Sequence, residues 1–204
     1  SNNELTFLIL IDNLRYDQWK FIQPLIENYF RVEADDMYCS ILPTATHYAR
    51  NALFAGLMPS EIEKLYSKYW LNEEDEGIKN QFEEALLVEQ LKRLNQQIKY
   101  SYNKILNLNA ARKLSENISN LYRNKLNIIV YNFVDMLSHA RTDMEVIKEL
   151  ADDEPAYRSL TYSWFEHSPL FEIMKNLSEK KVKIIITADH GSIKVEHAIK
   201  VIGD

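Results

Sequence analysis

The sequence predicts an α/β fold built on a mostly parallel open sheet with helices on both faces. Continuous apolar, β-branched runs of strand length alternate with longer segments of helical periodicity. Polar or acidic residues follow several of those runs directly. Because the carboxyl ends of parallel strands open into one crevice, residues far apart in sequence can meet there. The predicted fold therefore also indicates where to look for a functional site.

Five segments have the composition of β-strands. The first is a continuous apolar run with β-branched content, as expected for a strand buried on both faces, and the fourth is also apolar and β-branched. One segment alternates tyrosine with lysine, which favours a half-exposed edge strand. The predicted strands cover residues 5–11, 32–37, 98–105, 126–134 and 182–187.

Helical periodicity accounts for most of the remaining chain. Gly56 and Pro59 mark the end of the second predicted helix, and Pro155 and Pro169 lie in the first turn of the last two. The residues 142–145 have the spacing of a capping box and predict a further helix start. The predicted helices cover residues 15–29, 46–57, most of 60–95, 109–123, a short segment after 145, 155–165 and 169–179.

Composition indicates a folded protein without general affinity for polyanions. The 204 residues fit one domain, 1–204, with a helical insertion around 60–95. A net charge of -6 means that a phosphate-bearing substrate must be held locally. The single cysteine, Cys39, forms no internal disulfide, and no apolar run is long enough for membrane insertion. A cytoplasmic location is predicted, and the start without Met favours an excised domain.

Acidic, imidazole and hydroxyl groups follow the predicted strands. Zinc binds carboxylate and imidazole mixtures readily, so their convergence predicts a metal-assisted hydrolase. Asp135 and His139 are four residues apart and share a face if that segment is helical. The candidate metal ligands are Asp12, Thr46, Asp135, His139, Asp189 and His190.

Thr46 is the candidate nucleophile, since it lies at a predicted helix start. Free backbone N–H groups there suit a phosphate, and a dication makes a threonine hydroxyl a better nucleophile. A role as helix cap is the alternative, and Thr44 serves equally well for it. His47 and, more weakly, Arg50 are the candidate substrate-binding residues.

Together these segments resemble the alkaline phosphatase superfamily. Residues 43–59 resemble the nucleophile segment of its phosphodiesterase branch, in the register that makes Thr46 the nucleophile. The resemblance implies an alkaline-phosphatase-like core with two zinc sites. One site uses Asp12, Asp189 and His190; the other uses Asp135, His139 and a later histidine. His197 lies too soon after the Asp-His-Gly turn for that role, so we expect a C-terminally truncated domain with one incomplete site.

Three peptides are closer still to the PglZ domain of PorX-like response regulators. They are residues 12–19, 131–139 and 156–161. The resemblance implies zinc-dependent cleavage of phosphodiesters in small oligonucleotides. It also implies an upstream receiver domain and helical linker, a sensor kinase, and partners in type IX secretion or a sigma factor. A homodimer is one candidate assembly.

Three functions remain open at this stage. The leading hypothesis is a zinc-dependent phosphodiesterase or phosphatase with Thr46 as nucleophile. One alternative is a regulatory module that binds a nucleotide or a partner with little or no turnover. The other is a structural α/β domain whose acidic residues coincide by chance.

Overall fold

Four parallel strands form one sheet. The computed structural model describes residues 4–72 and 75–193, together with 195, 197 and 199. The strands are β1 (Leu5–Ile11), β2 (Tyr100–Ile105), β3 (Leu126–Tyr131) and β4 (Val182–Thr187). Their order across the sheet is β2-β3-β1-β4, and every pairing is parallel. The predicted α/β class is thereby confirmed, and 98–105 does contain an edge strand.

Helices occupy the connections between the strands. Their bounds are α1 (Tyr16–Glu27), α2 (Thr46–Ala55), α3 (Pro59–Leu65), α4 (Glu83–Arg93), α5 (Leu108–Glu116), α6 (Phe133–Asp143), α7 (Glu145–Leu150), α8 (Glu154–Glu166) and α9 (Pro169–Ser178). Short 3₁₀ helices cover Ser67–Tyr69 and Ile118–Arg123. Within the described ranges, no helix has the length and apolar content needed to cross a membrane.

The side chains of β1 alternate between two hydrophobic cores, as the two-residue period of a strand requires. Phe7, Ile9 and Ile11 pack in a core with α1, α5, α8 and α9. Leu8 and Leu10 face the other side, where α2, α3 and α4 cover the sheet. Helices therefore lie on both faces, as predicted.

The predicted strand at 32–37 is wrong. This stretch belongs to an irregular segment between α1 and α2. The Asp35 carboxylate accepts hydrogen bonds from Trp19 Nε1 at 2.9 Å and from Lys20 Nζ at 2.5 Å. Side-chain hydrogen bonds to α1 thus hold this segment in place of strand pairing.

Two boundaries near α6 also differ from the prediction. β3 ends at Tyr131, three residues early, and α6 begins at Phe133, whose ring stacks on Trp164 at 3.7 Å. The capping box predicted at Thr142 is wrong because α6 continues through that residue. The Thr142 hydroxyl donates to the Ser138 carbonyl at 3.2 Å. Because α6 begins at Phe133, Asp135 lies in the first turn of this helix.

Gly56 ends α2 in the left-handed conformation, with φ at 60°. We expect Gly56→Ala to lower the free energy of unfolding by about 1–2 kcal/mol, since residues with a Cβ resist that conformation. A Cβ there would also meet the Gln90 side chain. Urea denaturation measures the loss. Gly56→Asn is the matched control because it adds a Cβ yet tolerates positive φ; an equal loss in both variants would contradict the backbone explanation.

Candidate functional site

Two neighbouring strands deliver acidic and imidazole groups to one point. Asp12 follows β1 directly, and Asp189 and His190 lie just beyond β4. One ligand atom from each lies within 4.8 Å of the others. All three residues are buried, with relative exposures of 1%, 2% and 9%. Among the residues that the structure describes, this is the group of three that can hold a metal ion.

Backbone hydrogen bonds fix the turn that follows β4. Asp189 Oδ1 accepts the backbone N–H groups of Asn13 at 3.2 Å and His190 at 2.9 Å. Asn13 has a positive φ of 62°, a conformation that asparagine tolerates better than most residues. Gly191 lies against Arg15, whose Cγ would be 3.3 Å from an added Cβ. The Asp189 carboxylate therefore ties the residues that follow β1 to the turn that follows β4.

Thr46 is the first residue of α2, and its hydroxyl lies beside Asp12 and His190. Thr46 Oγ1 is 3.1 Å from His190 Nε2 and 3.5 Å from Asp12 Oδ1. The N-cap of α2 is Ala45, so the alternative role of Thr46 as the cap is wrong. Thr44 is exposed and lines the neighbouring cleft instead.

Arg50 lies one helical turn after Thr46 and is fully buried. Its Nε lies 2.8 Å from Asp189 Oδ2, its Nη2 contacts Asp12 Oδ2, and its Nη1 is 3.4 Å from Glu83 Oε1. The predicted phosphate contact does not fit this position, because three carboxylates share the guanidinium. Arg50 neutralises and orients the acidic group from inside the protein.

Burial and charge act in opposite directions on the titrating groups. Burial favours the neutral form of Asp12, but the hydrogen bond from His190 and the charge of Arg50 hold the pKa of Asp12 below its usual value. Burial raises the pKa of Asp189 despite the opposing charge of Arg50. For His190, burial is outweighed by Asp12 and Asp189, so its pKa is raised. The site formed by Asp12, Asp189 and His190 thus attracts positive charge, whether from a proton or from a metal ion.

Asp135 and His139 lie on α6 at the edge of this group. Their side chains approach to 3.5 Å, with the Asp135 side chain 23% exposed and that of His139 73% exposed. Burial, and next the charge of Asp12, raise the pKa of Asp135. The predicted pair therefore shares a helix face near Asp12, outside the buried three-residue group.

His47 and His197 are not among the three residues of the buried group. The His47 ring packs in an aromatic cluster, 4.7 Å from Trp70 and 4.6 Å from Tyr48. That packing explains its place on α2 without a substrate contact. His197 is exposed, as expected for a surface residue.

A cleft of about 480 Å³ opens beside His190. The irregular segment 30–44 forms one wall and is tied to the turn after β4. Tyr38 donates its hydroxyl to the Ala188 carbonyl, and Ser40 Oγ donates to the Asp189 carbonyl at 2.9 Å. Neither contact was predictable, since each joins residues that are far apart in the sequence.

Comparison with known families identifies the domain. The family model described as the BREX system PglZ alkaline phosphatase-like domain matches residues 1–204. This chain belongs to the PglZ family. The PglZ resemblance found in the sequence is thereby confirmed, and the parallel sheet is consistent with an alkaline-phosphatase-like core. A search of curated proteins finds no match.

Membership of the PglZ family indicates hydrolase activity of the phosphoesterase type. Alkaline phosphatase-like domains typically depend on metal ions, and the buried group of this PglZ chain fits one. Its two carboxylates and one imidazole are the donor types that zinc and similar divalent ions accept. The adjacent Thr46 hydroxyl adds a fourth donor group at the same place.

Proposed function

We propose that this PglZ domain is a zinc-dependent phosphodiesterase or phosphatase with Thr46 as its nucleophile. The observation that carries the proposal is the position of Thr46 Oγ1, 3.1 Å from His190 Nε2 and 3.5 Å from Asp12 Oδ1. A cation held by Asp12, Asp189 and His190 would lie within reach of that oxygen. Zinc in this position supplies Lewis-acid stabilisation of an ionised hydroxyl and of phosphoryl oxygens.

The reaction proceeds in two displacements at phosphorus. Thr46 releases its hydroxyl proton to water, and its Oγ1 forms a bond to phosphorus as the bond from phosphorus to the leaving oxygen breaks; that oxygen takes up a proton and departs as the alcohol. Water then attacks the phosphothreonine, releases the phosphate product and restores the Thr46 hydroxyl. The start of α2 offers backbone N–H groups and a partial positive charge to the phosphate oxygens.

A second zinc ion is proposed at Asp135 and His139. The two side chains are 3.5 Å apart, and Asp135 lies close enough to Asp12 for its pKa to respond to that charge. Two cations about 4 Å apart can hold the attacking and leaving oxygens of an in-line displacement. The resemblance to the superfamily implies one further histidine ligand for this second ion.

The substrate is proposed to be a phosphodiester in a small oligonucleotide, and the setting a cytoplasmic response regulator of type IX secretion. Both rest on the three peptides that resemble PorX-like proteins. Two of those peptides contact each other, because Gln18 Nε2 donates to Thr161 Oγ1 at 2.9 Å and Arg158 pairs with Asp17 at 3.2 Å. These four residues stabilise the packing of α1 on α8. Their role is therefore structural and not catalytic.

We expect turnover of bis(p-nitrophenyl) phosphate to fall at least about tenfold after chelation and to return on addition of zinc. Asp189→Asn should weaken zinc binding because it removes a buried ligand charge. Asp36→Asn, at an exposed acid that lines the cleft, is the control. Metal analysis, competition titration and the release of nitrophenol measure these effects. Turnover that is unchanged by chelation and also unchanged in Asp189→Asn would reject the proposed function.

A further inference from the structure

A buried series of polar groups connects the candidate site with edge strand β2. Glu83, the first residue of α4, is 1% exposed although it is charged. Its Oε1 lies 3.4 Å from Arg50 Nη1. Its Oε2 lies 3.1 Å from Lys104 Nζ and accepts a hydrogen bond from the Tyr102 hydroxyl. Glu83 therefore joins two residues of β2 to the arginine that contacts the site.

Arg50 determines which carboxylate oxygens are available at the site. Its Nη2 and Nε contact Oδ2 of Asp12 and Oδ2 of Asp189. The remaining Asp12 oxygen, Oδ1, faces Thr46 and His190 at 3.5 Å each. A planar guanidinium holds two carboxylates in a fixed relation, which a flexible ammonium group cannot do. Movement of Arg50 would consequently rotate Asp12.

The charges of this series also favour a divalent cation. Three carboxylates (Asp12, Asp189 and Glu83) and two cations (Arg50 and Lys104) give the series a sum of one negative charge. Neutralising Glu83 changes the sum to zero. Because these groups are largely buried, water screens that change less than at the surface.

We propose that Glu83 is a positioning residue for the metal site. It holds the Arg50 guanidinium across both aspartates, and so orients the Asp12 oxygen that faces Thr46. Its negative charge offsets that of Arg50, which keeps the site attractive to a divalent cation. The role of Glu83 in metal binding rests on the proposed function, whereas its role in holding Arg50 does not. α4 lies in the region predicted as a helical insertion, so that region contributes to the site.

Tyr102 and Lys104 fix the orientation of Glu83 in turn. Burial, and next the charge of Glu83, raise the pKa of Tyr102, so its hydroxyl stays protonated and donates. Both donors from β2 act on Oε2, which leaves Oε1 for Arg50. The order of bonds along the series therefore runs from β2 through Glu83 to the aspartates.

Glu83→Gln in the full chain tests the proposal, because it keeps the shape of the side chain and removes its charge. We expect the dissociation constant for zinc to rise about tenfold, the lower range for partners of metal ligands. Glu84→Gln, at the neighbouring exposed residue, is the matched control and should bind zinc as the wild type does. A chelator competition titration measures both constants. Wild-type zinc affinity in a folded Glu83→Gln variant overturns the proposal.

A measurement on metal-free protein separates positioning from zinc binding. The Nε–H signal of Arg50 in a ¹H–¹⁵N spectrum, assigned through Arg50→Lys, should shift in Glu83→Gln and remain in place in Glu84→Gln. If the wild type binds no zinc, the proposed function fails while this signal still tests the positioning role. If Glu83→Gln does not fold, Tyr102→Phe replaces it, with an expected severalfold loss of zinc affinity. An unshifted signal, or wild-type affinity in Tyr102→Phe, overturns the proposal.

Discussion

Replacing Thr46 with alanine is expected to lower kcat for bis(p-nitrophenyl) phosphate by a factor on the order of 10³ or more. The variant loses the hydroxyl that lies 3.1 Å from His190 Nε2 and 3.5 Å from Asp12 Oδ1. It keeps Asp12, Asp189 and His190, so its zinc affinity should change little. Steady-state kinetics with zinc present, alongside a zinc titration, measure the two effects separately.

Two variants control for indirect effects of the Thr46 substitution. Thr44→Ala removes a hydroxyl two residues earlier, at the exposed rim of the cleft, and should retain turnover. Thr46→Ser keeps a hydroxyl at the same position and should retain measurable turnover. Mass spectrometry of quenched wild-type reactions should detect phosphate on the peptide that contains Thr46. Undiminished turnover in folded Thr46→Ala, or phosphate on Thr44, would reject the nucleophile assignment.

The buried strands and the acidic group were predictable because their signals are local. β1 and β4 have the predicted bounds, since each is rich in apolar and β-branched residues and is followed by a polar turn. Asp12 and Asp189 follow those runs, and the topology of a parallel sheet brings the two strand ends together. Local sequence combined with one rule of topology thus indicated where the two carboxylates would meet.

The environment of Arg50 was not predictable, since it depends on how distant helices pack. In the sequence, Arg50 is a charged residue near a candidate nucleophile, which favours a phosphate contact. In the structure α2 packs against α4, and Glu83 lies opposite Arg50. Glu83 itself is one acid among several in a predicted helix, and no spacing distinguishes it. The strand predicted at 32–37 failed for a related reason, because Asp35 bonds to α1 across a tertiary contact.

Replacing Arg50 with methionine is expected to lower the free energy of unfolding of the metal-free protein by about 3–5 kcal/mol, the cost of breaking a buried ion pair from one side. Methionine retains much of the side-chain volume, so the main change is the loss of charge opposite three buried carboxylates. Urea denaturation measures the difference. Arg112→Met, at an exposed position on α5, is the control and should stay within about 0.5 kcal/mol of the wild type.

Zinc should restore part of the stability that Arg50→Met loses. A divalent cation supplies positive charge to Asp12 and Asp189, and binding to the native state stabilises it by mass action. Glu83 is not one of the three candidate metal ligands, so zinc should leave the part of the loss that belongs to the Glu83–Arg50 contact uncorrected. Stability equal to wild type in metal-free Arg50→Met would contradict the role of Arg50 as the internal counter-ion. It would mean that protons or water stabilise the carboxylates as well as Arg50 does. The Glu83–Arg50 contact would then not orient the metal site.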